Sequence, residues 1–184
     1  MVEIRFHGRG GQGTVVASKI LAIAVSKEDK WVQAFPQFGV ERRGAPVFAF
    51  IRIDDQPIYI RSKIVNPDHV IVVEPTLIDA IDVTEGLKKG GTILINSSRP
   101  PADFSSLAGR FRVYTIDANE IAIKFRLGSK AAPIVNTAIL GAVPRVFDFV
   151  RLESIVESIR ESVPSSPEEN ALAAREAYES VKGV

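Results

Sequence analysis

The stretch "FHGRGGQGTVV", Phe6 to Val16, decides how the rest of the chain is read. Gly8, Gly10, Gly11 and Gly13 crowd into it between an alternating apolar run and an apolar helical pattern. Glycine is costly to order, so a loop this rich in it implies a close approach to its backbone. Gly8, Gly10 and Gly13 satisfy G-x-G-x-x-G, with a strand predicted before and a helix after. In that setting the helix aims free N–H groups and the positive end of its dipole at a phosphate. Gln12 adds an amide donor, and the Thr14 hydroxyl either meets the ligand or caps the helix. The competing explanation is mechanical: the glycines only let the first strand pack closely on the first helix.

Outward from this corner, Val2 to Phe6 alternates apolar and polar residues like a strand, and Thr14 to Val25 reads as a helix. A second strand is predicted at Trp31 to Phe35. "VFAFIRI" and "PIYIR" flank Asp54-Asp55-Gln56 and predict a hairpin. "HVIVVE" and "TILIN" are short apolar runs typical of strands covered on both faces, and "FRVYTID" adds one more. Helices are predicted at Pro75 to Leu87 and at about 118–126, 136–148, 152–162 and 168–182. The alternation specifies an α/β fold: one domain over 1–184, a mainly parallel sheet flanked by helices, plus an antiparallel hairpin. The helices at about 152–182 are available to pack on this domain or on partners.

Composition narrows the function. With 184 residues, 46% hydrophobic and 24% charged, the chain is an ordinary globular domain. A net charge of +1 argues against nucleic acid or a membrane surface as partner. The absence of cysteine excludes a disulfide framework, a cysteine nucleophile and a cysteine-ligated cluster held by this chain alone. His7 and His69 are not at zinc-ligand spacing. No charged-then-apolar leader and no membrane-length apolar run is visible, so a cytoplasmic protein is expected.

A dinucleotide site of the usual kind wants an acid at the end of the second strand. Trp31 to Phe35 ends in Pro36 without one. The loop "PQFGVERRGAP" follows, and Arg42 and Arg43 would share the carboxyl edge of the sheet with the glycines. Arginine forks suit phosphate oxygens, although Glu41 could pair with one of the two. Glu74, closing "HVIVVE", stands where a site residue, a helix cap or a ribose contact would be.

"EIRFHGRGGQGTVVASKILA", "VQAFPQFGVERRGAPVFAFIRID" and "VNTAILGA" together resemble the gamma subunit of the pyruvate (2-oxoacid):ferredoxin oxidoreductases, from residue 2 to about residue 182. The resemblance implies a chain that assembles with alpha, beta and delta subunits. That complex decarboxylates a 2-oxo acid, most often pyruvate, on thiamine diphosphate and transfers the acyl group to coenzyme A. Electrons pass through iron–sulfur clusters to ferredoxin. Thiamine diphosphate and the clusters are expected on partner chains only, and this chain is expected to be non-catalytic alone. The similar domain of single-chain relatives contributes to the coenzyme A site. Carried over, this implicates Gly8, Gly10, Gly11, Gln12, Gly13 and Thr14 at the phosphates, with Arg42 and Arg43 as basic partners. Asn136, in "NTAILGA", either meets the ligand or caps its helix. The single-chain relatives carry an acid in place of Gln12 and lysines in place of the arginine pair, which leaves the contacts themselves open. The alternatives are a free-standing dinucleotide-binding oxidoreductase and a purely architectural subunit.

Overall fold

The computed structural model describes residues 1–37 and 44–183. β1 (Val2–Arg9) enters α1 (Thr14–Ser26) through the glycine loop, and β2 (Trp31–Pro36) and β3 (Pro46–Asp54) follow. Next come β4 (His69–Val72), α2 (Leu77–Ala80), β5 (Thr92–Asn96), a 3-10 turn at Pro101–Phe104 and α3 (Ser105–Ala108). β6 (Arg112–Ile116) and α4 (Ala118–Lys124) precede a small hairpin, β7 (Gly128–Ser129) with β8 (Ala132–Pro133). The chain closes with α5 (Ala138–Val146), α6 (Leu152–Ser162), α7 (Pro167–Ser180) and β9 (Lys182–Gly183).

One sheet runs β2-β3-β1-β4-β5-β6-β9. β1, β4, β5 and β6 are parallel to their neighbours at its centre, while β3 and β9 run antiparallel to β1 and β6. Alternate residues divide the core between two faces, as a pleated strand requires. Ile4, Phe6, Ile51, Ile71 and Leu94 face α1, α4, α5, α6 and α7. Val70, Val72, Ile93, Ile95 and Val113 lie under Leu77, Val83, Leu87, Phe104, Leu107 and Phe111. The expected mainly parallel α/β domain is the fold observed.

Two local expectations are corrected. "PIYIR" forms no strand. β3 pairs instead with β2 on one side and β1 on the other. Arg52 explains the change: it is 1% exposed, pairs with Glu3 at 2.8 Å and donates to the carbonyls of Ile60 (3.5 Å) and Ser62 (2.6 Å). Gln33 takes the Ile58 carbonyl at 3.0 Å, so this segment's acceptors serve side chains rather than a ladder. The helix predicted over Pro75 to Leu87 is cut to one turn. Asp82 accepts from the Thr84 N–H and hydroxyl, and Arg5 draws in the carbonyls of Val83 and Glu85. Those groups are thereby lost to helical bonding.

α5 contains both Gly141 and Pro144, which are poor helix residues. A Cβ on Gly141 would lie within 2.6 Å of the Ala174 Cα and closer still to the Ala174 carbonyl oxygen, so the glycine permits backbone contact between α5 and α7. Gly141→Ala would gain about 1 kcal/mol of helix propensity and lose about 1–3 kcal/mol or more to overpacking. We expect net destabilisation in urea denaturation; a neutral or stabilised variant would refute the close approach.

Candidate functional site

The glycine loop is built from a turn and a ring of hydrogen bonds. The Gln12 N–H donates to the Arg9 carbonyl at 3.1 Å, closing a four-residue turn with Gly11 at φ 94°. A left-handed third position is where such a turn wants glycine. Gly13 caps α1 at φ 74°. The Gln12 Oε1 accepts from the Arg9 N–H at 2.8 Å, and its Nε2 donates to Glu74. Glu74 also accepts from the Thr76 N–H (3.2 Å) and hydroxyl (2.8 Å), and Arg9 Nη2 returns to the Thr76 hydroxyl at 3.1 Å. Arg9, Gln12, Glu74 and Thr76 thus tie the β1–α1 corner to the end of β4. Burial alone would raise the Glu74 carboxyl. Hydrogen bonds from Gln12 and Thr76 with the charge of Arg9 outweigh it and hold the group below the usual carboxylate range.

The amides of Gly11, Gly13, Thr14, Val15 and Val16 have no backbone acceptor among the described residues. They stand at the positive end of a 13-residue helix, an arrangement that attracts anions. A cleft of about 720 Å³ opens beside them, lined by Arg9, Gly10 to Val16, Val47 and Ala132. A second cleft, of about 470 Å³, shares Gly11, Gln12, Gly13 and Ala132 with it and adds Glu74, Asn96, Asn119, Pro133 and Asn136.

Several expected site residues have different work. Gly8 lies inside β1, opposite Val47, and its missing side chain makes room for the Thr14 hydroxyl. Thr14 is 2% exposed; its hydroxyl neither caps α1 nor has a partner among the described residues, leaving its backbone to face the cleft. Gly10 donates its amide to the Ala45 carbonyl at 2.9 Å and so contributes room, not a donor. The Gln12 amide is engaged within the ring. Asn136 does not cap α5, which starts after Thr137; it accepts from the Thr137 N–H at 3.0 Å and packs against Gly13. Arg42 and Arg43 lie outside the described residues. Their carboxyl-side flank meets the glycine loop: Gly44 N–H donates to the Gly10 carbonyl at 3.2 Å and Arg9 to the Gly44 carbonyl at 2.9 Å. Sequence reading passed over Arg9, a variable position of the motif, and Asn119, which no motif marks.

Beneath the loop, His7 is 2% exposed, and its Nε2 accepts from Arg5 Nε at 2.8 Å. The ring proton therefore sits on Nδ1, which is buried without a partner among the described residues. Burial, helped by the Arg5 charge and only partly opposed by Asp82, pushes the imidazole from an ordinary 6.5 to about 3.

Fold and corner define an α/β domain with a glycine-rich strand-to-helix loop at the carboxyl edge of its parallel strands. Residues 3–180 match the pyruvate ferredoxin/flavodoxin oxidoreductase family, and the chain belongs to it. It is 51% identical to the pyruvate/ketoisovalerate oxidoreductases common subunit gamma of Thermococcus kodakarensis, over 97% of this chain and 96% of that one. The crystal structure of pyruvate oxidoreductase subunit PORC from Thermotoga maritima superposes with a TM-score of 0.84 at 37% identity, covering 99% of this chain and 97% of that one. The 2-oxoglutarate:ferredoxin oxidoreductase of Magnetococcus marinus, solved with coenzyme A and succinyl-CoA bound, shares the fold at TM-score 0.70 and 19% identity; the match covers 97% of this chain and 30% of that one. The chain is a gamma-type subunit of a 2-oxoacid:ferredoxin oxidoreductase, one part of a multi-subunit enzyme. No helix among the described residues is long and apolar enough to cross a membrane.

Two measurements check the geometry. In a double-mutant cycle, Gln12→Ala and Glu74→Ala should couple by about 0.5–3 kcal/mol; strict additivity would remove the ring. As pH falls, the unfolded chain takes up a proton on His7 near 6.5, while the folded chain resists until about 3. Stability contributed by neutral His7 is thus full above 6.5 and lost progressively toward 3. His7→Gln keeps an acceptor for Arg5 and should flatten the fall in urea stability between pH 6.5 and 4; parallel pH curves would contradict this.

Proposed function

We propose that this subunit supplies part of the coenzyme A site of a 2-oxoacid:ferredoxin oxidoreductase and performs no redox chemistry itself. The observation that carries the reading is the row of free amides at the start of α1, facing a cleft of about 720 Å³ beside Arg9. Gly11, Gly13 and the backbone of Thr14 would hold phosphate oxygens, with Arg9 adding a charge-assisted contact and Arg42 and Arg43 joining from the neighbouring segment. Pyruvate is the favoured oxo acid, and alpha, beta and delta chains are the proposed partners. Thiamine diphosphate and the iron–sulfur clusters belong on those partners; with no cysteine, this chain cannot offer thiolate ligands. Reduced ferredoxin, acyl-CoA and carbon dioxide are the products of the assembly. Holding the nucleotide end of coenzyme A brings its thiol to the acyl intermediate on neighbouring chains, a positioning effect worth several kcal/mol of barrier in general.

The dinucleotide alternative is disfavoured by topology. β3 separates β2 from β1, so the end of β2 is two strands away from the corner where a ribose-binding acid would be needed.

In the assembled complex, Arg9→Ala and Arg43→Ala should each raise the KM for coenzyme A roughly tenfold, as expected for a charged hydrogen bond, and leave the KM for the 2-oxo acid unchanged. Unaltered constants for both substrates would favour a purely architectural subunit.

A further inference from the structure

The helices cover one face of the sheet, and the segments from Leu77 to Phe111 cover the other over β4, β5 and β6. Over β1, β3 and β2 that second face carries Arg5, Phe50, Arg52, Phe35 and Trp31. An antiparallel edge can turn a polar face to water, but three of these five side chains are aromatic. The extended segment Pro57 to Asn66 lies across them: Gln33 and Arg52 hold its Ile58, Ile60 and Ser62 carbonyls, and its Ile64 is buried. What the segment turns outward is apolar and basic. Tyr59 is 85% exposed and Val65 64%, and Trp31, on the same side of the sheet, is 54% exposed. No backbone N–H from Ile58 to Asn66 donates to a backbone carbonyl among the described residues. Arg61 and Lys63 lie in a run without an acid between Asp55 and Asp68. The flanking acids have cations of their own: Asp54 pairs with the amino terminus (3.2 Å), Asp55 with Lys30 (2.8 Å) and Asp68 with Lys88 (2.7 Å). Asp82 and Glu85 share a cleft with Lys63, but Asp82 faces both Arg110 and Arg5, and Glu85 faces Arg5.

We propose that the segment Pro57 to Asn66, with Trp31 beside it, is the face on which a different subunit of the enzyme docks. The partner surface sets carboxylates opposite Arg61 and Lys63 and an apolar recess over Tyr59. Tryptophan, tyrosine and arginine are the side chains that carry most of the binding energy at protein interfaces, and here all three stand outward on one side of one sheet edge. The unused N–H groups of the segment add donors for the partner's carbonyls or carboxylates. A second copy of this chain is a poor occupant, because a two-fold contact brings the same patch against itself and would oppose Arg61 and Lys63 to their own like charges. The inference rests on the proposed assembly with partner chains and is independent of the coenzyme A site.

The test co-expresses all subunits with a tagged copy of this chain and measures what co-purifies. Arg61→Glu combined with Lys63→Glu should lower the recovery of the partner subunits about tenfold, as loss of charge complementarity at an interface does, and Tyr59→Ser should lower it less. All three side chains are exposed, so the urea midpoint of the full chain should stay unchanged. Arg175→Glu combined with Lys182→Glu, a matched reversal at the carboxyl end of the chain, should leave recovery as it is. In the wild-type complex a water-soluble carbodiimide, which condenses amines with carboxylates, should join Lys63 to an Asp or Glu of another subunit. Full recovery of partners with the Arg61 and Lys63 reversals, equal loss with the matched reversal, or Lys63 joined only to its own chain or to a second copy of it would overturn the assigned face while leaving the assembly in place. If the wild-type chain retains no partner, the assembly reading falls and this inference with it.

Discussion

The ring that joins Arg9, Gln12, Glu74 and Thr76 is the interaction on which the site depends. A loop made of glycines has wide conformational freedom and a correspondingly large entropy to lose. Side-chain bonds from a strand more than sixty residues away restrict it, so the amides at the start of α1 are presented in one arrangement before any ligand arrives. The polar side chains of the corner are spent on this internal work, so the donors left open there among the described residues are backbone N–H groups and the remaining N–H groups of Arg9.

The glycines divide this labour among themselves. Gly11 and Gly13 are required by left-handed backbone, Gly8 by the Thr14 side chain folded beneath it, and Gly13 again by the flank of Asn136. Gly10 joins the loop to the re-entering strand through Ala45. The mechanical and the ligand-binding explanations of the glycine density are therefore not exclusive: packing requirements account for individual positions, and together they leave a corner free of side chains.

Much of the architecture was legible because its signals are local. "HVIVVE" and "TILIN" lie at the centre of a parallel sheet and are apolar throughout for that reason, and the strand-to-helix corner is marked by its glycines. The failures are non-local. Nothing within "PIYIR" tells that its carbonyls will be taken by Arg52 and Gln33, or within "DAIDVTEG" that Arg5 will reach across to Val83 and Glu85. The site shows the same limit. Motif spacing identified the loop, but whether Thr14 and Gln12 turn outward or inward depends on Gly8 and Glu74. The segment carrying Arg42 and Arg43 was expected beside the loop on the premise of a parallel second strand. Its carboxyl-side flank does reach the loop, through an antiparallel connection: β3 returns alongside β1, so Pro46 sits opposite Arg9.

The contact between α5 and α7 has a consequence for how the molecule opens. A nine-residue helix with a glycine and a proline inside it would not persist in water, so α5 exists only while α7 lies against it. The two form one cooperative unit, whose amides should exchange with solvent together rather than segment by segment. Asn136, two residues before α5, and Asn170 within α7 belong to that unit, and Thr137 donates to Asn170 across it at 2.6 Å. Part of the lining of the smaller cleft is accordingly rooted in a unit of the protein that opens as a whole.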